Sequence, residues 1–384
     1  MHQFNLDRGW FHGKRTNIKR PMEIAHFSYD ENHQLHPFSD LSLRYYFPPF
    51  TPAHHVPPPP AIDLKTGFSQ FRKQDETGDD HLDSLLGTIE LLERRDGKKL
   101  DASFITWRGM MTKFVTSLFD HEDEFEMLAT LYQDTMQVEF IEEDHEAKLR
   151  RDARQSAQFR RPQNGLGPDM MQYWGYKFEA LALLNRPHTE VTRDEIENRT
   201  SAIVENSSQY CSIVRTGLGP NAIVVGGEVD GVIGYKPDNP MDPPRWIELK
   251  TARKPQSPKD FDIHSKKLLK FWAQSYLIGC PNIVIGYRDR DGMLYELENL
   301  ETQKIPTMVQ RMYQFKWDAN ACLSAASALL EFLKANITES GVWRISRAKG
   351  EPAIRLSKDE SFGSGTGNII SSSFKSWRES AECV

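Results

Sequence analysis

Two short β-rich segments, residues 221–233 and 245–251, place charged side chains two positions apart within otherwise apolar runs. In the first, Glu228 and Asp230 flank Val229; in the second, Glu248 and Lys250 flank Leu249. A period of two sends both members of each pair to one face of an extended strand. The loop between them, Lys236-Pro-Asp-Asn-Pro-Met-Asp-Pro-Pro244, is too rich in breakers to continue either strand. Strands joined by such a loop are expected to pair antiparallel, which brings Asp230 and Glu248-x-Lys250 onto one surface. Buried carboxylates on one face repel each other and lose hydration, so they require a cation. The pattern therefore has two physical outcomes: a solvated salt-bridge ladder, or a buried carboxylate cluster gathered around a cation.

Two flanking helices favour the second. Pro168-Asp169 opens a segment in which Trp174, Phe178 and Leu181 recur at helical spacing. Gly175 and Glu179 are four apart on one face, so the glycine either clears space beside the carboxylate or permits close helix packing. Residues 262–278 form a further helix with Leu268, Leu269, Trp272 and Tyr276 on one side. Lys267, Lys270 and Gln274 share a narrow arc on the other, just before a strand at 282–288. Gln274 is there a candidate phosphate or nucleobase contact.

The 384 residues carry 48 Lys+Arg against 54 Asp+Glu, a net charge of −6, and 39% hydrophobic residues, enough apolar content for a core. The longest apolar runs fall far short of the roughly 20 residues that span a bilayer. The opening Met-His-Gln-Phe-Asn-Leu-Asp-Arg has no apolar leader core, so neither membrane insertion nor secretion is expected. Cys211, Cys280, Cys322 and Cys383 are scattered without zinc or redox spacing and read as reduced intracellular thiols. Residues 120–146 hold eleven acids and no Lys or Arg, which reads as a solvated face. Residues 250–270 hold seven basic side chains against two acids, so a polyanion could bind locally despite the net charge.

Residues 1–80 are rich in proline and aromatics and are expected to form an extended arm with short strands, packed on the body. His54-His55, flanked by prolines, reads as surface loop in preference to a metal site. The Ser/Gly-rich segment 357–384 is expected to be a partly flexible tail. Residues 1–384 are otherwise expected to be one catalytic domain. There is no phosphate-binding Gly-x-x-x-x-Gly-Lys loop and no nucleophile elbow, which argues against an NTPase or a serine hydrolase.

Six motifs then stand in order: Trp107-Arg108-Gly109, Gly175-Tyr-Lys-Phe-Glu179, Glu228-Val-Asp230, Glu248-Leu-Lys250, Phe271-Trp-Ala-Gln274-Ser and Gly286-Tyr-Arg288. The set resembles the DXO/Rai-type RNA 5′-end decapping family, within it the fungal nuclear branch, and spans most of the chain. The resemblance implies an α+β fold of two twisted mixed β-sheets flanked by helices, with a PD-(D/E)xK nuclease-like core. It implies hydrolysis of RNA bearing a 5′-triphosphate, an unmethylated cap or an NAD cap, in some members with 5′→3′ exonuclease activity. By the same resemblance Glu179, Asp230, Glu248 and the Leu249 carbonyl would ligate Mg²⁺ or Mn²⁺, as two ions, and Glu228 would act through a water. Lys250 and Gln274 would hold the scissile phosphate or attacking water. Arg108 would contact RNA phosphates, and Arg288 would belong to the substrate-binding set. The branch further implies a nuclear location and a partner, the nuclear 5′→3′ exoribonuclease of the Rat/XRN type, with roles in rRNA processing and transcription termination.

Two other classes fit parts of the pattern. The chain could be mainly a non-catalytic stimulatory subunit of that exoribonuclease, in which case purified protein with Mg²⁺ or Mn²⁺ releases no product. It could instead be a PD-(D/E)xK DNA nuclease, which RNA and DNA oligonucleotides with the same 5′ group would distinguish.

Overall fold

Strands whose side chains alternate between two apolar environments build both sheets of the computed structural model, which describes residues 1–50, 61–75, 77–133, 137–158, 167–239 and 242–380. The first sheet has ten strands, in the order β1 (His2–Asn5), β17 (Ala353–Asp359), β16 (Val342–Arg347), β7 (Phe125–Gln133), β8 (Gln137–Glu143), β6 (Phe104–Trp107), β11 (Asn221–Glu228), β10 (Gln209–Leu218), β2 (Ile18–Tyr29) and β3 (Leu35–Pro37). The second has seven: β5 (Ile62–Asp63), β15 (Met293–Glu301), β14 (Asn282–Arg288), β13 (Trp246–Ala252), β12 (Gly231–Val232), β4 (Tyr45–Tyr46) and β9 (Leu183–Leu184). Both are mixed: β6 is parallel to β8 and β11, and β13 is parallel to β14. With ten α-helices among the described residues, the fold is α+β.

Helices fill the space between and outside the sheets. α3 (Arg108–Thr116), α7 (Pro258–Ile278) and α9 (Ala319–Asn336) share the largest core with Ile223 and Val225 of β11 and with Ile283 and Ile285 of β14. α1 (Arg8–Phe11) and α8 (Ile305–Met312) join its edges through Phe11 and Val309. On the outer face of the first sheet, α2 (Asp83–Asp96) and α10 (Ser372–Glu379) cover Val224 and Phe140. On the outer face of the second, α5 (Pro168–Ala182) covers Ile247, Leu249 and Val284. Val224 thus faces one core and Val225 the other, the strand period made visible. α4 (His145–Gln158) and the short α6 (Arg193–Glu197) complete the set.

α7 is the crossover between parallel strands β13 and β14. Its start is fixed by a capping box, in which Ser257 Oγ accepts from Asp260 N and Asp260 accepts from Ser257 N; Gly279 in the left-handed region ends it.

The structure adds to the sequence expectation in three places. Residues 18–29 form a twelve-residue strand inside the first sheet, paired with β10 and β3, so the N-terminal strands are not all short. His54 and His55 lie outside the described residues. The segment after Ser357 carries α10, which docks Phe374, Trp377 and Arg378 against α2. The Arg378 guanidinium pairs with the buried Glu93 carboxylate, and Trp377 Nε1 donates to it at 3.0 Å. Ser/Gly content cannot show three buried side chains in the next eight residues. The acidic run is also not a uniform solvated face, because Asp120, Glu139, Glu142 and Asp144 are buried. No helix among the described residues is long and apolar enough to cross a membrane.

Candidate active site

The first charged pair lies where the chain leaves one sheet for the other, and the second lies on β13 of the sheet it enters. Glu228 is the last residue of β11, opposite Cys211 of β10. Val229 N still donates to Tyr210 O of β10, at 3.0 Å, whereas Val232 N donates to Arg44 O beside β4, at 2.9 Å. Asp230 sits between these two commitments. β12 then pairs antiparallel with β13, Gly231 opposite Ile247 and Val232 opposite Trp246. So 221–233 is not one strand; it is two, in different sheets, with Asp230 at the hinge.

From there Asp230 Oδ2 accepts a hydrogen bond from Leu249 N at 2.6 Å, which fixes its carboxylate against β13. On β13, Ile247 and Leu249 turn into the core under α5, and Glu248 and Lys250 turn the other way. Glu248 is 1% exposed. Its Oε1 lies 2.6 Å from Lys250 Nζ, and its Oε2 accepts from Arg108 Nη1 at 3.1 Å. Arg108 opens α3 directly after β6, and β6 runs beside β11 with Trp107 opposite Gly226. A Cβ on Gly226 would stand 2.7 Å from the Trp107 ring, and one on Gly227 would stand 2.9 Å from Arg108 Cβ. The Gly226-Gly227 pair is therefore what lets Arg108 reach across to Glu248.

Glu179 arrives from α5. Trp174 and Phe178 pack that helix on the second sheet, and a Cβ on Gly286 would come within 3.0 Å of the Phe178 ring, so the glycine of the last motif sets how close α5 lies. A Cβ on Gly175 would meet nothing within 4 Å, so the turn before Glu179 faces open space. Glu179, Glu228 and Asp230 together line a cavity of about 610 Å³ whose wall also includes Arg44 and Tyr210. Glu228 lines a second cavity of about 410 Å³ on its other side.

The four carboxylates act on one another. Burial raises the Glu179 pKa well above the usual range, and Asp230 and Glu228 push it further. Burial and then Asp230 take Glu228 to about 7; burial and then Glu248 take Asp230 to about 6. Glu248 differs. Burial pushes it up as well, but Lys250 and Arg108 together hold it at about 2. Lys250 in turn is kept protonated by Glu248 and Asp230 against the pull of burial. The cluster thus has four carboxylates against two fixed cations, a deficit of positive charge in a half-enclosed place.

The donor set fits a divalent hard cation: all oxygen, mostly carboxylate, with the deficit such an ion would fill. Among the described residues no three His, Cys, Asp or Glu side chains already stand close enough to hold one. Arg108 and Lys250 supply the counter-charge in this arrangement.

Of the expected site residues, Arg108, Glu248 and Lys250 stand behind the cavity walls, Gln274 is half-buried on α7 and Arg288 ends β14; none of these five lines either cavity. Lys270 is engaged elsewhere, 3.0 Å from Asp120 and 3.4 Å from Asp123, so it is a structural partner of the acidic run. Sequence reasoning missed Arg44 in the cavity wall, which bonds Asn185 and lies 3.9 Å from Glu205; it has no spacing partner that could have marked it. It also missed the pair of the partly exposed His81 and the buried Glu142, 3.1 Å apart in the wall of the second cavity. Cys211, Cys280 and Cys322 are buried free thiols; Cys383 lies outside the described residues.

The profile of RAI1-like PD-(D/E)XK nucleases matches residues 19–375. The decapping nuclease RAI1 of Aspergillus fumigatus is 46% identical over 96% of this chain and 96% of its own length. That of Gibberella zeae is 45% identical over 96% and 94%. Among solved structures, Candida albicans Rai1 in complex with pU5 and Mn²⁺ superposes with a TM-score of 0.86 at 26% identity, over 98% of this chain and 99% of that one. Scheffersomyces stipitis Rai1 with 3′-NADP⁺ and calcium ion gives 0.84 at 27% identity, over 99% and 100%. With a matching profile across nearly the whole chain and relatives this similar end to end, the chain belongs to the RAI1-like PD-(D/E)XK nuclease family.

Proposed function

We propose that this enzyme is a divalent-metal-dependent hydrolase of RNA 5′ ends. It would release pyrophosphate from a 5′-triphosphate end, the cap dinucleotide from an unmethylated cap and NAD from an NAD cap, as part of nuclear RNA quality control. The observation that carries the reading is Glu248 held between Lys250 and Arg108, beside three further carboxylates at a cavity wall. Relatives named as decapping nucleases, one of them solved with pU5 and Mn²⁺, support it.

Glu179, Asp230, Glu248 and the Leu249 carbonyl are the groups that would hold Mg²⁺ or Mn²⁺, with Glu228 acting through a water. When bound, such a cation stabilises charge on phosphoryl oxygens and eases deprotonation of water at neutral pH. Lys250 keeps a fixed positive charge beside Glu248, suited to steady the scissile phosphate. Arg108 offers a planar fork that can shift from carboxylate to phosphate without losing its charge. The role of Gln274 rests on its motif alone. We also infer that the protein binds and stimulates a nuclear 5′→3′ exoribonuclease, which rests on the likeness to the fungal branch.

The test is product analysis with Mg²⁺ or Mn²⁺ on RNA carrying a 5′-triphosphate, an unmethylated cap or an NAD cap, beside DNA with the same 5′ phosphate. Pyrophosphate, cap dinucleotide and NAD are expected, and RNA is preferred. No product from any RNA, with the partner exoribonuclease still stimulated, would leave only the scaffold role.

A further inference from the structure

Tyr210 grips the chain on both sides of Asp230. Its main-chain oxygen accepts from Val229 N at 3.0 Å, just before the carboxylate, and its phenol oxygen accepts from Lys236 Nζ at 2.7 Å, beyond it. Between these two holds the chain crosses to the second sheet and pairs Gly231 and Val232 with β13. It then turns at Gly234, whose φ of +74° suits glycine. Lys236 thus returns to the first sheet, although it opens the loop that leads to β13.

The anchor is stiff. Tyr210 is 2% exposed, and its ring packs against His26 of β2 and Trp246 of β13, with centroids 5.6 and 5.7 Å away. Its phenol donates in turn to Glu23 at 3.3 Å, and Glu23 also accepts from Ser212 Oγ at 2.6 Å. Lys236 completes the set with ion pairs to Asp40 at 2.8 Å and Glu23 at 3.3 Å. Burial raises the Glu23 pKa, but a hydrogen bond with His26 and the charge of Lys236 bring it below its ordinary value. What this network holds in place is the start of β12. The β12–β13 ladder ends at Gly231 opposite Ile247, so at Leu249 the Asp230 carboxylate stands in for a strand partner, accepting from Leu249 N at 2.6 Å. The place of a ligating carboxylate is set by the contacts behind it.

We propose that Lys236 is a positioning residue for Asp230: by holding the Tyr210 phenol it pins the far end of the hinge to the first sheet and fixes where the carboxylate stands. The proposal rests on the reading above that Asp230 helps to hold the cation, and adds a residue that acts on the site only through others.

Lys236→Met alone would strand the Glu23 carboxylate, so the test uses Lys236→Met/Glu23→Gln, which removes one charge of each sign. Tyr210→Phe, which deletes only the phenol oxygen, is the second variant, and Glu23→Gln alone is the control. Exchange of the Leu249 amide hydrogen is followed without metal, beside that of Ile285 on the neighbouring strand β14. Mn²⁺ alone is then titrated in an equilibrium binding measurement. In the double variant Leu249 exchange should quicken by about tenfold against an unchanged Ile285, and Mn²⁺ affinity should fall by about tenfold. Tyr210→Phe should show both effects at about threefold. Glu23→Gln should show neither, because an amide oxygen can still accept from Tyr210 and Ser212. Leu249 and Ile285 exchange that quicken together would mean a general staple between the sheets, and would overturn the proposal. So would unchanged Leu249 exchange in either variant, or losses in Glu23→Gln equal to those in the double variant. Wild type that binds no Mn²⁺ would overturn the cation reading instead, and the exchange arm would still decide what places Asp230.

Discussion

Arg108 Nη1 donates to Glu248 Oε2 at 3.1 Å across a gap of 140 residues, and it does so from the other sheet's side of the molecule. Glu248 is almost fully buried, so each of its two cation partners offsets part of a large desolvation cost. Arg108→Ala leaves Lys250 as the single counter-ion. The expected outcome is a loss of about 1–3 kcal/mol in unfolding free energy in the presence of a chelator. Added Mn²⁺ should restore part of it, because the ion replaces the missing charge. Denaturant unfolding with and without Mn²⁺ checks this, and equal losses in both conditions would contradict the charge account.

Glu179 contributes in the opposite sense. Burial, Asp230 and Glu228 all disfavour its charged form, so Glu179→Gln relieves repulsion. Without metal, the melting temperature should hold or rise. With Mn²⁺, the variant should lack most of the stabilisation that the ion gives wild type, which is about 2.7 kcal/mol at a hundred times Kd. Hydrolysis of triphosphorylated RNA should be abolished. Wild-type turnover in this variant would remove Glu179 from the site.

Much of this cluster was legible because it depends on short-range periodicity. Glu248 and Lys250 share a face, and Leu249 points away, for the same reason in any strand. What could not be read was the change of partner at Val229, since only the pairing of distant β10 and β4 decides it. Burial of acids was equally hidden: Glu139 and Glu142 look solvated by composition, yet β8 lies inside the first sheet between β7 and β6. Lys270 seemed free beside Gln274 until β7 and its preceding loop brought Asp120 and Asp123 within reach. The twelve-residue β2 was masked by its neighbours' prolines, although only one proline, Pro21, falls within it.

Glu139 makes that hidden burial measurable. Its side chain is 2% exposed and Oε2 has no hydrogen-bond partner. Burial pushes its carboxyl up to about 8; Lys334 pulls it down and Glu331 pushes it further up. The folded state therefore holds a proton that the unfolded chain releases above its ordinary carboxyl pKa of 4.5. Stability from this group is full below about pH 4.5 and falls as pH rises toward 8, by at most about 1.4 kcal/mol per pH unit. Glu139→Gln should flatten the curve and exceed wild type in stability at pH 8, with little difference near pH 4.5. Parallel unfolding curves across that range would show that Glu139 is charged in the fold.

Lys250 separates a surface ion pair from a working group. Its side chain is 25% exposed, and its 2.6 Å approach to Glu248 would suit either role. As an exposed pair it would contribute about 0–1 kcal/mol, and Lys250→Ala would leave turnover within a few-fold of wild type. Its partner, however, is buried and shared with Arg108, and its ammonium stands beside the Asp230 carboxylate that helps keep it charged. A preorganised donor of that kind, aimed at developing negative charge, is worth on the order of 10²–10³ in rate. Lys250→Ala should therefore lose that factor in single-turnover cleavage of triphosphorylated RNA, while RNA affinity falls only modestly because other cations still hold the backbone. Lys250→Arg should recover little, since a planar guanidinium cannot sit where a compact ammonium meets Glu248 Oε1 with Arg108 already on Oε2. A rate loss confined to affinity, or none at all, would return Lys250 to the ion-pair role.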